Sequence, residues 1–260
     1  MNGPTPLLDF FKRGEVAQDV RLLAAQGALA PRGSEQLAIL VLLLDDPDPG
    51  VRRTAEETVN RIPLAVLTAF LAQPDVPIGL REFFAGRGVF PGDSPAAKAL
   101  EDPDLPLIEV ASGDDETESK DSVKSVQERL AEMGFTSRLK AAMKGTREVR
   151  AILIRDPNKM IASAVLSSPK LTEPEIEGYA RMSNVSEDVL RTISHTRAWM
   201  KNYGVVVALA KNPKTPLAIS MNLLVRLNDR DLNTLSIDRN VPDPLRVAAR
   251  KKLVAATSKR

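Results

Sequence analysis

Cysteine is absent from this chain of 260 residues, so it holds no disulfide framework, thiolate nucleophile or cysteine metal site. A single histidine, His195, excludes a multi-histidine metal centre. Aromatic residues make up 4% of the chain, too few for a stacking platform of the kind that reads single-stranded RNA. The longest apolar run, Leu37 to Leu44, covers eight residues, far below the ~20 that a membrane helix needs. The first residues lack a positive region followed by an apolar stretch, so the expectation is a cytoplasmic protein without a membrane span.

What is present is an ordinary globular composition, 43% hydrophobic and 27% charged, with a formal net charge of +2. That small value hides a division. Residues 1–119 carry 10 Lys and Arg against 20 Asp and Glu, whereas residues 120–260 carry 26 against 14. Between the halves, turn-formers from Pro91 onward lead into Asp102-Pro103-Asp104 and then into Asp114-Asp115-Glu116-Thr117-Glu118. Such a run buries little apolar surface and repels itself. The expected organisation is an acidic helical domain over 1–97, an acidic disordered linker over 98–121 and a basic helical domain over 122–260.

The clearest signal is a recurrence near 28 residues in the second half. Asp156-Pro157, Asn184-Val185, Asn212-Pro213 and Asn240-Val241 fall in register, each followed five residues on by an aliphatic: Ile161, Val189, Leu217 and Leu245. Further columns run through Leu171, Trp199 and Leu227, and through Tyr179, Val207 and Leu235. Asp156, Asn184, Asn212 and Asn240 are therefore expected as structural caps or Asx turns that reset the chain direction before a helix. Two helices of about 8–12 residues fill each unit, and neither buries its apolar stripe alone. Leu217, Met221 and Leu224 mark the inward face of one such helix, with Asp229 as the cap of the next.

The same grammar is weaker in the first half, where Asp46-Pro47-Asp48-Pro49-Gly50-Val51 and Asp75-Val76-Pro77-Ile78-Gly79-Leu80 stand 29 residues apart. No alternating run bounded by hairpin turns appears, so no sheet is expected. The fold class that follows is all-α: an α–α superhelix of short helical hairpins in two segments.

The stretch from Ile152 to Ala248 resembles bacterial HEAT-like, leucine-rich-repeat-variant-like α-helical repeat proteins. The resemblance rests on Ile154-Arg155-Asp156-Pro157-Asn158-Lys159, Asn184-Val185-Ser186-Glu187-Asp188-Val189-Leu190-Arg191, Trp199-Met200-Lys201-Asn202-Tyr203, Lys211-Asn212-Pro213-Lys214-Thr215-Pro216, Asp229-Arg230-Asp231-Leu232 and Asp238-Arg239-Asn240-Val241-Pro242. The first half looks like the more degenerate HEAT-like repeat of the same proteins. The resemblance implies stacked helix pairs, a HEAT-like solenoid, and carries no particular activity. The 28-residue unit is shorter than the ~40–47 residues of HEAT and armadillo repeats.

Enzyme signatures are missing from the sequence: no phosphate-binding loop, dinucleotide fingerprint, His-Glu-x-x-His pair or Gly-x-Ser-x-Gly elbow. HEAT-like DNA glycosylases place Trp, Asp and Arg on a basic helical surface, but Trp199 shares the Leu171 and Leu227 column and reads as core filling. No catalytic residue, metal or cofactor is expected. Arg155, Lys211 and Arg239 each precede the Asp/Asn column, with Ser183 interrupting the ladder. Cations at one position of successive units suit an anionic partner; each also suits the C-terminal end of its own helix. Lys201, Asn202 and Tyr203 form a second candidate partner-binding patch. The reading is a non-enzymatic protein- or peptide-binding scaffold, with nucleic-acid or other polyanion binding by the basic half as the alternative.

Overall fold

The structure, a computed structural model, describes residues 6–29, 32–92, 107 and 126–257. Their regular structure is entirely helical, with no strand among the described residues. Apart from Leu107, the expected linker over 98–121 lies outside them. The chain divides into two compact units, Met1–Gly145 with Ser167–Pro169, and Thr146–Leu166 with Lys170–Arg260.

The first unit contains α1 (Pro6–Lys12), α2 (Gln18–Ala25), α3 (Gly33–Leu43), α4 (Pro49–Asn60), α5 (Leu64–Leu71), α6 (Ile78–Gly86), α7 (Val126–Glu132) and α8 (Phe135–Lys144). The last two, read from the sequence as the start of the second domain, therefore group with the first unit. Helix α3 is apolar on nearly every side, and Leu37, Ile39, Leu40 and Leu43 are buried, as an interior helix requires. Helix α4 is amphipathic instead, burying Val51, Ala55 and Val59. The turn between them is a chain of side-chain caps. Asp46 Oδ1 accepts from Asp48 N at 2.9 Å, and Asp48 Oδ1 accepts from Gly50 N and Val51 N at 2.8 and 3.0 Å. Pro49 occupies the first turn, where its missing N–H costs nothing. Arg21 ties this turn to α2 through Asp46 at 2.8 Å.

The second unit contains α9 (Arg147–Leu153), α10 (Lys159–Leu166), α11 (Glu173–Arg181), α12 (Glu187–His195), α13 (Tyr203–Lys211), α14 (Leu217–Leu223), α15 (Asp229–Ile237) and α16 (Asp243–Thr257), with 3-10 turns at Trp199–Lys201 and Leu224–Arg226. Its α9–α10 turn repeats the local construction of the first unit's α3–α4 turn. Asp156 Oδ1 accepts from Asn158 N at 2.8 Å, and Asn158 Oδ1 accepts from Met160 N at 2.9 Å. Val51 and Ile161, each three residues beyond the second side chain of its turn, are both buried. The same pair of short polar side chains thus starts a helix in both units.

The core of the second unit is lined by Val189, Leu190 and Ile193 of α12, by Val205, Val206 and Leu209 of α13, and by Leu232, Leu235, Leu245 and Ala249 beyond them. A buried ion pair fixes α9 to α11. Arg150 Nη2 lies 2.8 Å from Glu175 Oε1 and 3.0 Å from Oε2, and both residues are 4% exposed. Every remaining lobe of the carboxylate is occupied: Thr172 donates its N–H and hydroxyl to Oε2 at 3.0 and 2.8 Å, and Tyr179 reaches Oε1 at 3.4 Å. Burial raises the Glu175 carboxyl, but the bonds from Thr172 and Arg150 outweigh it and leave the group below the usual carboxylate value. Burial, with Glu175 beside it, pushes the Tyr179 hydroxyl up to about 12.

One register expectation is corrected. The turns after α11, α13 and α15 have the same backbone course and occupy 182–186, 212–216 and 238–242. Their spacings are therefore unequal, one two residues longer and one two residues shorter than the sequence period. Asn212 corresponds to Met182 and Asp238, not to Asn184 and Asn240. The turn at 212–216 is consequently out of phase with the sequence columns, and Leu217 and Met221, expected inward, are 40% and 38% exposed. Helix α14 buries Ser220 and Leu223 instead. The cap of α12 is Ser186, whose Oγ accepts from Val189 N at 3.4 Å, rather than the exposed Asn184. In the last turn Asp238 accepts from Asn240 N at 2.9 Å, so Asp238 closes it and not Asn240. Likewise Asn228, not Asp229, caps α15, accepting from Asp231 N at 2.8 Å.

Candidate functional site

The second unit carries a groove of about 620 Å³ where α11 and α13 end. Val207, Ala208 and Pro213 give it apolar surface. Arg181, Ser183, Lys211 and Asn240 supply cationic, hydroxyl and amide groups, and Asn212 completes the lining. Its size lies within the range of sites that hold small ligands or side chains.

The groove exists because consecutive turns are locked together. Asn212, 4% exposed, donates its side-chain amide to Ala180 O at 2.8 Å and Met182 O at 2.9 Å, and its Oδ1 accepts from Lys214 N at 2.9 Å. These are carbonyls at the end of α11, where a helix leaves acceptors without partners. Asn212 thus does more than cap its own turn: it satisfies the end of the preceding one. Sequence columns placed Asn212 correctly at a turn but gave no sign of this long-range role.

The two candidate patches meet at Asp231. Asp231 accepts from the Tyr203 hydroxyl at 2.7 Å and from Lys211 Nζ at 3.0 Å. Tyr203 in turn accepts from Asn228 N at 3.1 Å. The Tyr203 hydroxyl and the Lys211 ammonium hold the Asp231 carboxyl below the usual carboxylate value, against the opposing effect of burial. Asn202 is the cap of α13, accepting from Gly204 N at 2.8 Å, and its amide donates to Glu173 Oε2 at 3.4 Å. Asn202 and Tyr203 therefore brace the start of α13 against α11 and α15, and Lys201 is exposed beside them.

The cation ladder separates. Lys211 lines the groove with Ser183, while Arg155 and Arg239 do not. Arg155 donates to Ala151 O at 3.1 Å, four residues back, at the end of α9. Arg239 is exposed in the turn after α15. Elsewhere in this unit basic side chains take the same kind of role: Arg250 donates to Ser236 O at 3.1 Å, Lys252 to Leu224 O at 2.6 Å, and Arg226 to Met200 O. Four of the unit's cations thus sit on carbonyls at or near the ends of helical segments, where the backbone dipoles favour positive charge. His195 Nδ1 lies 2.7 Å from Arg191 O at the end of α12. Trp199 is half-buried in its 3-10 turn.

Among the described residues no group of three or more His, Asp or Glu is placed to hold a metal ion, and no helix is long and apolar enough to cross a membrane. Comparison of the chain with protein-family models, with curated proteins and with solved structures finds no match.

Proposed function

We propose that this protein is a non-enzymatic scaffold of the HEAT-like, α–α superhelical kind, acting in the cytoplasm, and that it holds a peptide segment of a partner protein in the groove where α11 and α13 end. One observation carries the reading: the groove joins an apolar wall, Val207, Ala208 and Pro213, to a rim of Arg181, Ser183, Lys211 and Asn240. Apolar surface gives affinity, and exposed amide, hydroxyl and cationic groups can pair with a peptide backbone and an acidic side chain. The recurrence near 28 residues and the shared Asp-Pro-Asp/Asn-x turn support the repeat reading, because stacked helix pairs generate extended surfaces of this type.

Panning a random peptide library on the full chain tests this. Selected peptides are expected to lose binding when Ser183→Trp or Asn240→Trp fills the groove, and to keep it with Glu128→Gln, far away in the sequence and outside the lining. Peptides that bind all three proteins alike would overturn the groove as the site. Nucleic-acid binding by the basic half is the competing outcome. It requires a labelled DNA or RNA duplex to bind the full chain with an affinity that falls steeply as salt rises, and to displace the peptides.

A further inference from the structure

The outward face of α14 and its 3-10 extension differs from those of its neighbours. Leu217, Met221 and Val225 follow one another at four-residue intervals and are 40%, 38% and 77% exposed. Ala218 and Asn222 are the other exposed residues of α14, so the helix itself carries no exposed charge, and the exposed Arg226 ends its 3-10 extension. On α12 the exposed positions include Glu187 and Arg191, and on α16 they include Asp243, Arg250 and Lys251. The inward face of α14 is correspondingly poor: Ser220 is buried where α12 has Leu190, and Ile219 is only half-buried where α12 has Val189. This helix is therefore about as apolar outside as inside. A run of three large apolar residues on one exposed helix face is the pattern of a helix partner's anchor row.

The charge around the row selects the partner. From residue 213 to residue 228 the chain contains Lys214 and Arg226 and no Asp or Glu. Lys214 stands just before the row and Arg226 just after it, and Lys252 of α16 reaches Leu224 O at 2.6 Å beside the row's end. An apolar strip bounded by cations at both ends fits an amphipathic helix whose own apolar row is flanked by carboxylates. From Leu217 to Val225 the row is about 12 Å long at ~1.5 Å per residue, enough to meet two turns of such a helix.

We infer that the Leu217–Met221–Val225 face of α14 docks an acidic amphipathic helix of a partner protein. The inference rests on reading the protein as a scaffold, and it assigns a second contact surface apart from the groove. Helix-on-helix contact gives the affinity through the apolar row, and Lys214, Arg226 and Lys252 set the sign of charge the partner must present.

The test uses the full chain and a fluorescently labelled synthetic helix-forming peptide with leucines at i, i+4 and i+7 and glutamates flanking them. Two control peptides carry lysine in place of glutamate, or serine in place of leucine. The glutamate peptide is expected to bind, and both controls to bind at least about tenfold more weakly. Met221→Asp and Val225→Asp should each weaken binding of the glutamate peptide by at least about tenfold with helical content retained, Val225 being 77% exposed and Met221 38%. Failure of the glutamate peptide to bind the native chain overturns the proposal. So does equal binding by the lysine peptide, which leaves the charge argument empty. If the peptide binds native and Met221→Asp proteins alike but is lost on Asn240→Trp, the scaffold reading stands and the α14 surface falls. If the native chain sediments as a dimer that Met221→Asp dissociates, a second copy covers this face and the proposed partner is wrong.

Discussion

The side-chain amide of Asn212 donates to the backbone carbonyl of Met182 at 2.9 Å, across thirty residues of sequence. The bond joins two consecutive interhelical turns and, with the bond to Ala180 O, completes the end of α11. Because Asn212 is buried, no water stands ready to replace it. Asn212→Ala is therefore expected to destabilise the second unit by ~2–3 kcal/mol through orphaned carbonyls and a lost turn bond. Asn240→Ala, at an exposed turn position, should cost under ~0.5 kcal/mol. Urea melts of the full chain followed by helical signal check the order, and a larger loss for Asn240 would contradict the register assigned here.

Thr215 sits in the turn after α13 at the place that Val185 and Val241 hold in the turns after α11 and α15. All three are buried, and the Thr215 hydroxyl has no hydrogen-bond partner. Replacing it with the nearly isosteric valine removes an unpaired buried hydroxyl without leaving a void. Thr215→Val is expected to stabilise the unit by ~1–2 kcal/mol, read as a raised urea midpoint with an unchanged slope.

Leu217 belongs to a sequence column whose other members, Ile161, Val189 and Leu245, are buried, yet it is itself 40% exposed. Leu217→Ala should consequently change stability by no more than ~0.5 kcal/mol, while Leu223→Ala, 6% exposed, should cost ~2–4 kcal/mol through the cavity it leaves. The reverse order in thermal melts would restore the unshifted sequence register.

Removal of one partner from the Arg150–Glu175 pair leaves the other charge buried without its counter-ion. Arg150→Met is expected to destabilise by ~3–5 kcal/mol, and Arg150→Met with Glu175→Leu to recover much of that loss. The pH dependence has a definite sign. Glu175 is held below its ordinary value of 4.5, so its contribution is fully present above that pH and lost as pH falls through the lower folded value. The double variant should show a shallower loss of stability in acid.

Glu35 behaves oppositely. It is fully buried in the first turn of α3, and neither carboxyl oxygen has a partner at hydrogen-bond geometry. Burial pushes the group up to about 7, against the pull of Arg32 and the nearby Leu8 and Leu7 amides and with a further push from Asp9. A raised carboxyl stabilises the fold fully below pH 4.5 and loses that contribution as pH rises through about 7, about 3 kcal/mol in all. Glu35→Gln should therefore match the parent near pH 4.5 and exceed it in stability at pH 8. Urea melts across that range check it; parallel curves for the two proteins would place Glu35 in contact with water.

Several features were legible in the chain itself. The lack of strand patterning and the recurrence of short polar residues before apolar stripes determined an all-helical protein. Asp46-Pro47-Asp48 and Asp156-Pro157-Asn158 announced their turns because Asp and Asn bond backbone amides two or three residues on, a local interaction written in a few adjacent letters. The sequence also located Tyr203 and Lys211 as residues of interest. Only the tertiary structure decided that both bind Asp231, that Arg150 and Glu175 pair across 25 residues, and that the turn at Asn212 is offset by two from its column. These depend on which helix faces meet, and a two-residue change in loop length rotates a helix by about 200° without disturbing its composition. That rotation turned Leu217, Met221 and Val225 outward, and no count of apolar residues along the chain distinguishes a face that packs inside from the same face presented to a partner.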